Sequence, residues 1–523
     1  MTDDVDNMNL VMGTDNRSIT SQWKAYQFGG AFFRLNYAFD DRYLLEVNGR
    51  YDGSSRFPSD ERWAFFPSAS VGWRISQEPW WNVKSEHISN AKVRFSWGSL
   101  GNAAGLSNYQ YIQTLGISKS DYILDGLRQN YMSSPAALPG NLTWETATTY
   151  DIGVDLGFFD NRLTVSGDYY IRKTTDMIVN GPTVPDVFGA SSPKGNYADM
   201  STYGYELSLE WKDGFDLAGK RFNYSIKGTL ADYYSVIDKF NNANMSLSEY
   251  ANQSLDKNYY EGMRIGEIWG FVSNGLWQDQ AGIDAAEAAA KAAGQSYYNP
   301  LMQTSKTYKL YPGDIKFEDL NGNGYIDRGQ NTVDDPGDRK IIGNSLPRYT
   351  YSIQGGFDWY GFDFSIYLQG VGHQDWYPGT NSVFFWGPYA RPYSSFIPRD
   401  FLSQVWSPEN PDAYFPRPIG YLALGNNRSL GVVNDRYLQN LAYCRVKNIT
   451  VGYTIPAVWT KKVKIERLHI YFSGENLFTF SPLKSDYIDP EQASAENSIQ
   501  SANGNAKLYP WSKTYSFGVN VTF

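Results

Sequence analysis

Apolar and polar residues alternate with a period of two through most of this sequence, and this pattern restricts the possible folds. Between Phe33 and Phe39 every second residue is Phe, Leu or Tyr, and the alternation recurs in Tyr150–Phe158 and in Tyr515–Phe523. Successive side chains of a strand point to opposite faces, so each segment predicts a strand with one apolar face. We count about 13 to 15 such segments, each roughly ten residues long as in membrane-spanning strands.

Two details favour a barrel in lipid over a soluble sandwich. The polar faces carry charge deep inside the strands, as at Glu46, Arg50 and Asp155, which suits a wide, water-filled lumen. The apolar faces keep Tyr or Trp near the strand ends, as at Tyr43 and Trp97, where membrane barrels have aromatic girdles. A soluble sandwich would also put charge on its solvent face, so only the combination is informative. The sequence therefore predicts an all-β fold, a transmembrane antiparallel β-barrel.

Composition excludes several other classes of protein. Aromatic residues make up 16% of the 523 residues and charged residues 19%, yet no stretch approaches the ~20 apolar residues of a membrane-spanning helix. The net charge of −9, without blocks of Lys or Arg, argues against a nucleic-acid partner. Cys444 is the only cysteine, so the chain contains no internal disulfide.

The connections between the predicted strands have two lengths, which is the asymmetry of an outer-membrane barrel. Short turns such as Asp40-Asp41 contrast with long, extracellular loops that hold short helices, including one at Asp284–Ala293. The long loops are predicted at 101–142, 174–201, 234–265, 278–346, 372–435 and 479–512. Aromatic rings in Phe384–Phe401 suit binding of sugars or peptides, but for each ring packing between loops is the simpler interpretation.

One segment of the loop at about 278–346 has the spacing of metal ligands. Asp319–Asp327 reads DLNGNGYID, with oxygen-bearing side chains at positions 1, 3, 5 and 9 and Gly324 at position 6, like the beginning of an EF-hand loop. We predict a Ca²⁺ site formed by Asp319, Asn321, Asn323, Tyr325, Asp327 and Gln330. Gln330 replaces the Glu of position 12, so Asp334, Asp335 or Asp338 would have to supply that carboxylate. A hydrogen-bonded turn without metal is the alternative.

Catalysis and other cofactors have little support in the sequence. The three histidines, His87, His373 and His469, are far apart, and no Walker loop, HExxH or GxSxG motif is present. His469 lies on the polar face of a predicted strand, where it would form hydrogen bonds in the lumen. We therefore expect no enzymatic activity.

Several long segments resemble the SusC/RagA family of TonB-linked outer-membrane proteins. They are Tyr43–Ser76, Ala91–Asn102, Asn141–Ile178, GDIKFEDLNGNGYID with the following DRKIIGNSLPRYTYSIQGGF, Glu475–Phe480 and the final TYSFGVNVTF. They occur in the order of the family and extend from about Gln27 to Phe523.

This resemblance implies a transporter in the outer membrane of a Gram-negative bacterium, surrounded by lipid and lipopolysaccharide. Its barrel would have 22 strands, an N-terminal plug inside, a TonB box that couples it to the TonB complex, and a SusD-like surface lipoprotein over the extracellular mouth. It would import oligosaccharides or oligopeptides. The aromatic loops suit both substrates, so the sequence leaves that choice open.

The chain departs from this family pattern in its extent. It has no plug-like segment, TonB box or secretory signal, and the predicted strands are short of 22 by about seven to nine. Unpaired strand edges in lipid are costly, so we expect another polypeptide, or another piece of one precursor, to carry the plug and the missing strands. Residues 1–25 would be a polar tail or loop at the break, and residues 26–523 the C-terminal part of the barrel.

Two other functions remain open from the sequence. The chain would be a scaffold that transports nothing if its barrel belonged to a secretion or surface-assembly complex. It would be a soluble carbohydrate-binding β-protein if it stayed monodisperse without detergent.

Overall fold

The structure is a computed structural model of the 523-residue chain. It describes residues 8–10, 19–21, 23–113, 115–124, 126–132, 137–140, 142–181, 187, 192–242, 244–247, 259–303, 309–379, 382–390, 397–420, 424, 430–493 and 509–523. None of the helices in these ranges has the length and apolar content needed to cross a bilayer.

The described residues form 23 strands and three α-helices. The strands are β1 (Met8–Leu10), β2 (Ile19–Ser21), β3 (Phe28–Phe39), β4 (Tyr43–Ser54), β5 (Trp63–Arg74), β6 (Ile88–Asn102), β7 (Ile117–Leu124), β8 (Leu127–Met132), β9 (Glu145–Phe158), β10 (Leu163–Asn180), β11 (Lys194–Leu217), β12 (Lys220–Lys239), β13 (Glu267–Phe271), β14 (Ser273–Leu276), β15 (Ile315–Phe317), β16 (Arg339–Asn344), β17 (Arg348–Trp359), β18 (Phe362–His373), β19 (Asp375–Trp376), β20 (Gln439–Asn440), β21 (Tyr443–Ile455), β22 (Arg467–Phe480) and β23 (Thr514–Thr522). The α-helices are α1 (Gln280–Ala292), α2 (Val383–Trp386) and α3 (Ala457–Thr460), and the 3₁₀ turns are Ile75–Gln77, Gly387–Tyr389, Phe401–Gln404 and Lys461–Val463.

Thirteen of the strands form one large antiparallel sheet. Their order is β3-β4-β5-β6-β9-β10-β11-β12-β17-β18-β21-β22-β23, so each strand pairs with the sheet strands before and after it in the chain. The sequence prediction of an all-β fold with 13 to 15 sheet strands is confirmed, and no plug domain is present among the described residues. β3 and β23 are the two ends of this order, and neither has a second neighbour in the described part of the chain.

The register of the sheet divides the alternating residues between two faces. In the first hairpin Leu35 lies opposite Val47, and Asn36 lies opposite Glu46. In the last hairpin Phe472 lies opposite Phe517, so apolar residues again meet apolar residues across the strands. Within each hairpin we call the side of the apolar residues, such as Leu35 or Phe517, the apolar face, and the side of the polar residues, such as Asn36 and Glu46, the polar face.

Four tight turns join neighbouring strands at one end of the sheet. Their central pairs are Asp40-Asp41, Asp160-Asn161, Ala218-Gly219 and Tyr360-Gly361, and both residues of each pair have positive φ. Two consecutive left-handed residues are the geometry of the type I′ turn, whose twist matches that of a β-hairpin. The predicted short turn at Asp40-Asp41 is therefore part of a hairpin in which Phe39 pairs with Tyr43, and the one at Asp160-Asn161 joins the neighbouring strands β9 and β10.

The strands extend further toward the long loops than the sequence predicted. β10, β11 and β12 have 18, 24 and 20 residues, whereas about ten residues cross a bilayer. The predicted loops at 174–201 and 234–265 were therefore wrong in their bounds, since strand structure continues to Asn180 and Lys239 and resumes at Lys194. The apolar–polar alternation weakens in these extensions, so the sequence pattern did not mark them as strands. Their strands nevertheless pair with their neighbours in the sheet.

Helix α1 begins four residues before the sequence prediction of Asp284–Ala293. Asp279 caps it, because its Oδ1 accepts a hydrogen bond from the backbone N–H of Gly282 at 2.8 Å. Ile283 and Ala290 are the buried residues of this helix. The prediction followed the Ala-rich run and missed the capping residue ahead of it.

The chain divides into two compact units, each with its own apolar core. One unit comprises Met1–Gly72, Phe95–Tyr150 and Arg172–Met200, and the other comprises Trp73–Arg94, Asp151–Ile171 and Ser201–Phe523. The core of the first unit consists of Phe57, Phe66, Leu106, Leu142 and Trp144. The core of the second unit lies mainly in the long connections, where Phe271, Trp386 and Tyr437 are almost fully buried.

Candidate functional site

Ion pairs on the polar face connect neighbouring strands. The Arg94 guanidinium on β6 contacts Asp155 on β9 at 2.8 Å and Asp168 on β10 at 2.9 Å. These three side chains are 23–31% exposed. Gly153 leaves room for the group, since a Cβ there would lie 2.3 Å from an Asp168 carboxylate oxygen. Half-buried charges bridging three strands are typical of a wall that faces water and not lipid.

A histidine also lies on the polar face, as predicted. His469 Nε2 on β22 lies 2.8 Å from Asp363 Oδ1 on β18, across the intervening strand β21. Gly452 on β21 makes this contact possible, because a Cβ there would lie 2.3 Å from His469 Nε2 and 2.4 Å from an Asp363 oxygen. The pair is a hydrogen-bonded element of the wall.

The long connections of the second unit pack into one aromatic cluster, which we call the loop cluster. Its centre contains Trp386, Tyr389, Phe415 and Tyr437, and the rings of Phe415 and Tyr437 stack at 5.9 Å. Trp386 is fully buried and Tyr389 is 1% exposed. These rings of the aromatic-rich segment therefore pack between loops, as the simpler interpretation predicted, and residues 391–396 lie outside the described residues.

The tyrosines of the loop cluster form hydrogen bonds as neutral groups. Tyr389 Oη donates to the carbonyl of Pro416 at 2.5 Å, and Tyr377 Oη lies 3.1 Å from the carbonyl of Leu430. Burial raises the pKa of Tyr377 well above its ordinary value, and burial likewise raises the pKa of Tyr414 to about 12. Their hydroxyls therefore fix the loops without adding charge.

Buried ion pairs fix two further points of these loops. Arg417 Nε donates to Asp314 Oδ1 at 2.8 Å, and the Asp314 side chain is fully buried. Burial raises the pKa of Asp314, and the Arg417 charge partly offsets that rise. Arg445 on β21 contacts Asp489 at 2.6 Å, with side-chain exposures of 4% and 5%. This ion pair attaches the loop before β23 to the beginning of β21.

A hollow of about 390 Å³ opens on the loop cluster beside the start of α1. Trp277, Gln278, Lys316, Asp412 and Arg436 contribute to its lining. The Lys316 ammonium lies 4.9 Å from the centre of the Trp277 ring, and Arg436 donates to the carbonyls of the 413–414 segment. The lining is mixed in charge, so it suits a small polar ligand more than an apolar one.

The predicted metal loop has the turn geometry of an EF-hand loop. Asp319 Oδ1 accepts hydrogen bonds from the N–H groups of Gly322 and Asn323, and its Oδ2 accepts one from Gly324 at 2.7 Å. Asn323 Nδ2 donates to Asp327 Oδ2 at 2.7 Å. The structure thus brings Asp319, Asn323 and Asp327 together around one turn. Asn321 Oδ1 accepts from the Asn323 N–H at 3.0 Å, which places Asn321 in the same turn.

Asp338 anchors this loop from the inside. Its side chain accepts from the N–H groups of Leu320 and Asn321 through one oxygen and of Asp327 through the other. Asp338 is fully buried, and burial, with a smaller effect of the Asp319 charge, raises its pKa to about 6. The sequence named Asp338 only as one of three candidates for the missing carboxylate, and nothing in its local pattern distinguishes it.

The other predicted ligands lie at the edge of this arrangement. The Tyr325 N–H donates to Asn323 Oδ1 at 3.1 Å, and the Gln330 N–H donates to Asp335 Oδ2 at 3.1 Å. In the part of the chain that the structure describes, no three His, Cys, Asp or Glu side chains form a metal-binding group. An ion in this loop would therefore draw on amide and backbone oxygens as well, as EF-hand loops do. The Ca²⁺ site stays a prediction.

Together these features define the class of protein. An antiparallel sheet with one exposed apolar face, one charged face, tight turns at one end and long packed connections at the other is the wall of an outer-membrane β-barrel. The family model described as TonB dependent receptor-like, beta-barrel, matches residues 2–477. The chain belongs to this family, which confirms the predicted outer-membrane location and makes it part of a transport receptor and not an enzyme.

Individual relatives agree with this assignment. The chain is 29% identical to the TonB-dependent receptor P3 of Formosa agariphila, over all of this chain and 48% of that receptor. It is 27% identical to the TonB-dependent receptor SusC of Bacteroides thetaiotaomicron, over 94% of this chain and 43% of SusC. The RagAB peptide importer in its open-open state has the same fold, with a TM-score of 0.69 and 20% identity over 98% of this chain. The chain spans about half the length of these relatives.

Proposed function

We propose that this chain forms the C-terminal part of the barrel of a nutrient importer. The importer takes up oligosaccharides or oligopeptides, uses energy delivered through TonB, and works with a SusD-like surface lipoprotein. The observation that carries this proposal is the 13-stranded sheet with two unpaired ends in a chain half as long as its receptor relatives. The name of the RagAB peptide importer supports import and a peptide substrate, and the aromatic loops of this chain suit a sugar as well.

Strand direction indicates what completes the barrel. In an antiparallel sheet of 13 strands the first and the last run in the same direction, so β3 and β23 would form a parallel pair if they met. Membrane barrels of this type are closed by antiparallel pairs and have an even number of strands. The missing part of the barrel, which we call the complement, therefore supplies an odd number of strands. A barrel of 22 strands requires 22 − 13 = 9 of them. Two copies of this chain in the same orientation would again meet through parallel pairs.

The polar face and the loop cluster have separate roles in this proposal. Substrate binds among the long loops, which the aromatic cluster and the buried ion pairs hold in place. The plug carried by the complement closes the lumen until TonB displaces it. The polar face, with pairs such as Arg94–Asp155, then gives the substrate a hydrated wall.

Purification from outer membranes tests this proposal. An affinity tag on this chain is expected to retain a plug-containing complement and a SusD-like lipoprotein. At 48% coverage by a chain of 59.2 kDa, the complete barrel receptor would have a mass of about 123 kDa (59.2/0.48). Cells lacking the chain are expected to lose growth on one class of oligomer, glycan or peptide. Retention of a different protein that fills the lumen permanently, with no growth defect, would favour a scaffold.

We also propose that the Asp319–Asp327 turn binds Ca²⁺ and stabilises the surrounding loop. Its donors are carboxylate, amide and carbonyl oxygens, which are the ligands Ca²⁺ prefers. Asp319 and Asp327 lie in one turn, and Asp338 holds that turn through the backbone N–H groups of Leu320, Asn321 and Asp327. A cation would offset the repulsion between these carboxylates.

Replacing Asp319 is expected to abolish Ca²⁺-dependent stabilisation. In the purified receptor, wild type should melt several degrees higher in 1 mM Ca²⁺ than in chelator, on the order of 1–3 kcal/mol by mass action, and Asp319→Ala should not respond. Asp334→Ala is the matched control, because Asp334 lies exposed in the same connection and should keep the full response. Identical melting of wild type with and without Ca²⁺ would show that the turn is held by hydrogen bonds alone.

A further inference from the structure

A second hollow, of about 810 Å³, lies on the polar face of the first unit, along β3 to β6. Its lining includes Phe28, Phe32, Arg34, Glu46, Asp52 and Phe66. We call it the wall hollow. None of its lining residues belongs to the loop cluster or to the metal loop.

Among the described residues, one oxygen of Asp52 in the wall hollow has no hydrogen-bond partner. The Asp52 side chain is 8% exposed, and Arg50 Nε donates to its Oδ2 at 2.5 Å. Asp52 Oδ1 is buried and accepts no hydrogen bond from the part of the chain that the structure describes. Gly30 lies directly opposite on β3, and a Cβ there would come within 2.1 Å of this oxygen. A buried carboxylate oxygen without a donor is costly, so the site is suited to a donor from another molecule.

Two aromatic rings lie beside Asp52 on the face that otherwise carries charge. Phe32 is opposite Arg50 in the register, which places it on the polar face, and it is 81% exposed. Phe28 is on the same face and is 52% exposed, with its ring edge against Trp144 at 6.3 Å. Rings on the apolar face would be covered by lipid, but rings on a hydrated wall expose apolar area to water. They therefore indicate a surface that is covered in the assembled protein.

We propose that the wall hollow is the docking site for a cationic polypeptide segment of the complement. An Arg or Lys side chain donates to Asp52 Oδ1, and an apolar residue beside it covers Phe28 and Phe32. A charge-assisted donor is the match for a buried carboxylate. The charges already present, Arg34 with Glu46 and Arg50 with Asp52, balance in pairs, so the donor meets no net repulsion.

The occupant belongs to the complement because of where the wall hollow lies. β3 is the end strand of the sheet, and its free edge is the place where the complement pairs. A chain that pairs with this edge is within reach of the hollow on the same strand. This inference rests on the proposed function, in which another polypeptide or precursor piece completes the barrel.

Thiol labelling in the assembled receptor tests the site. In a Cys444→Ser background, the thiol of Phe32→Cys should react at least about tenfold more slowly with a water-soluble maleimide than that of Ala38→Cys. Ala38 lies on the same face of the same strand, outside the hollow. Adding Asp52→Asn should raise the rate at position 32 and leave position 38 unchanged. A benzophenone attached to Phe32→Cys should cross-link a complement segment that contains Lys or Arg.

The outcomes separate this inference from the proposed function. If the complement does not co-purify, the proposed function fails before any thiol is labelled. If it co-purifies and positions 32 and 38 react equally fast, only the docking site is overturned. Cross-links confined to lipid, to this chain or to a dissociable small peptide would overturn it as well.

Discussion

Phe517→Arg is expected to destabilise the assembled barrel by about 2–4 kcal/mol, the cost of a lipid-facing Arg near the bilayer midplane. Phe517 lies on the apolar face of β23, opposite Phe472, and is 84% exposed. Lipid covers that side chain if the apolar face is the outer surface of the barrel. The measurement is the midpoint of urea unfolding for the receptor in lipid vesicles.

Ser516→Arg is the matched control for this substitution. Ser516 is the neighbouring residue on β23 and lies opposite Ser473 on the polar face. An Arg there faces the water-filled lumen, so the unfolding midpoint should change little. Equal destabilisation by both variants, or a larger effect of Ser516→Arg, would show that the two faces are assigned incorrectly.

Arg445→Met is expected to release the loop before β23, with a local loss of about 3–5 kcal/mol, since it leaves buried carboxylates without their partner. Arg445 contacts both Asp489 and Glu491, and Met fills a similar volume without charge. Lys447 still reaches Glu491, so Asp489 is the group left without a cation. Hydrogen exchange of residues 481–493 in the purified receptor measures the effect.

Arg128→Met is the control for the loss of an arginine. Arg128 pairs with Asp121 at 2.9 Å, but the two side chains are 52% and 95% exposed, so this pair contributes little. Exchange in the β7–β8 hairpin should change only slightly. Unchanged protection of residues 481–493 in Arg445→Met would mean that aromatic packing alone holds that loop.

The wall of this protein could be predicted from its sequence because the relevant signal is local. Alternation over seven to ten residues is enough to separate Leu35 from Glu46 in the first hairpin and to make Phe517 an apolar-face residue in the last. The register pairs Leu35 with Val47 and Phe517 with Phe472. Tight turns were also predictable, since Asp residues tolerate the left-handed backbone that Asp40 and Asp41 adopt.

The loops could not be predicted in the same way, because their contacts join residues far apart in the chain. Arg445 and Asp489 are separated by 44 positions, and no periodic pattern marks such a pair. Gly452 reads as an ordinary strand glycine, although it makes room for the contact between His469 and Asp363. The role of Asp338 likewise depends on burial that only the folded loop creates.

The unmatched oxygen of Asp52 is a third kind of feature that the sequence did not show. It depends on Gly30 of the neighbouring strand, which lies directly opposite Asp52. One sequence clue was present, since Phe28 and Phe32 interrupt the polar positions of β3. This clue could be interpreted only after the strand register had shown on which face each ring lies.

Counting the strands of the assembled receptor by electron cryomicroscopy tests most directly whether this chain is one part of a larger barrel. The prediction is a closed barrel with an even number of strands, 22 in this family, of which 13 come from this chain. β3 and β23 should each pair antiparallel with a strand of the complement. A barrel closed by direct pairing of β3 with β23, or one built from two copies of this chain, would contradict it.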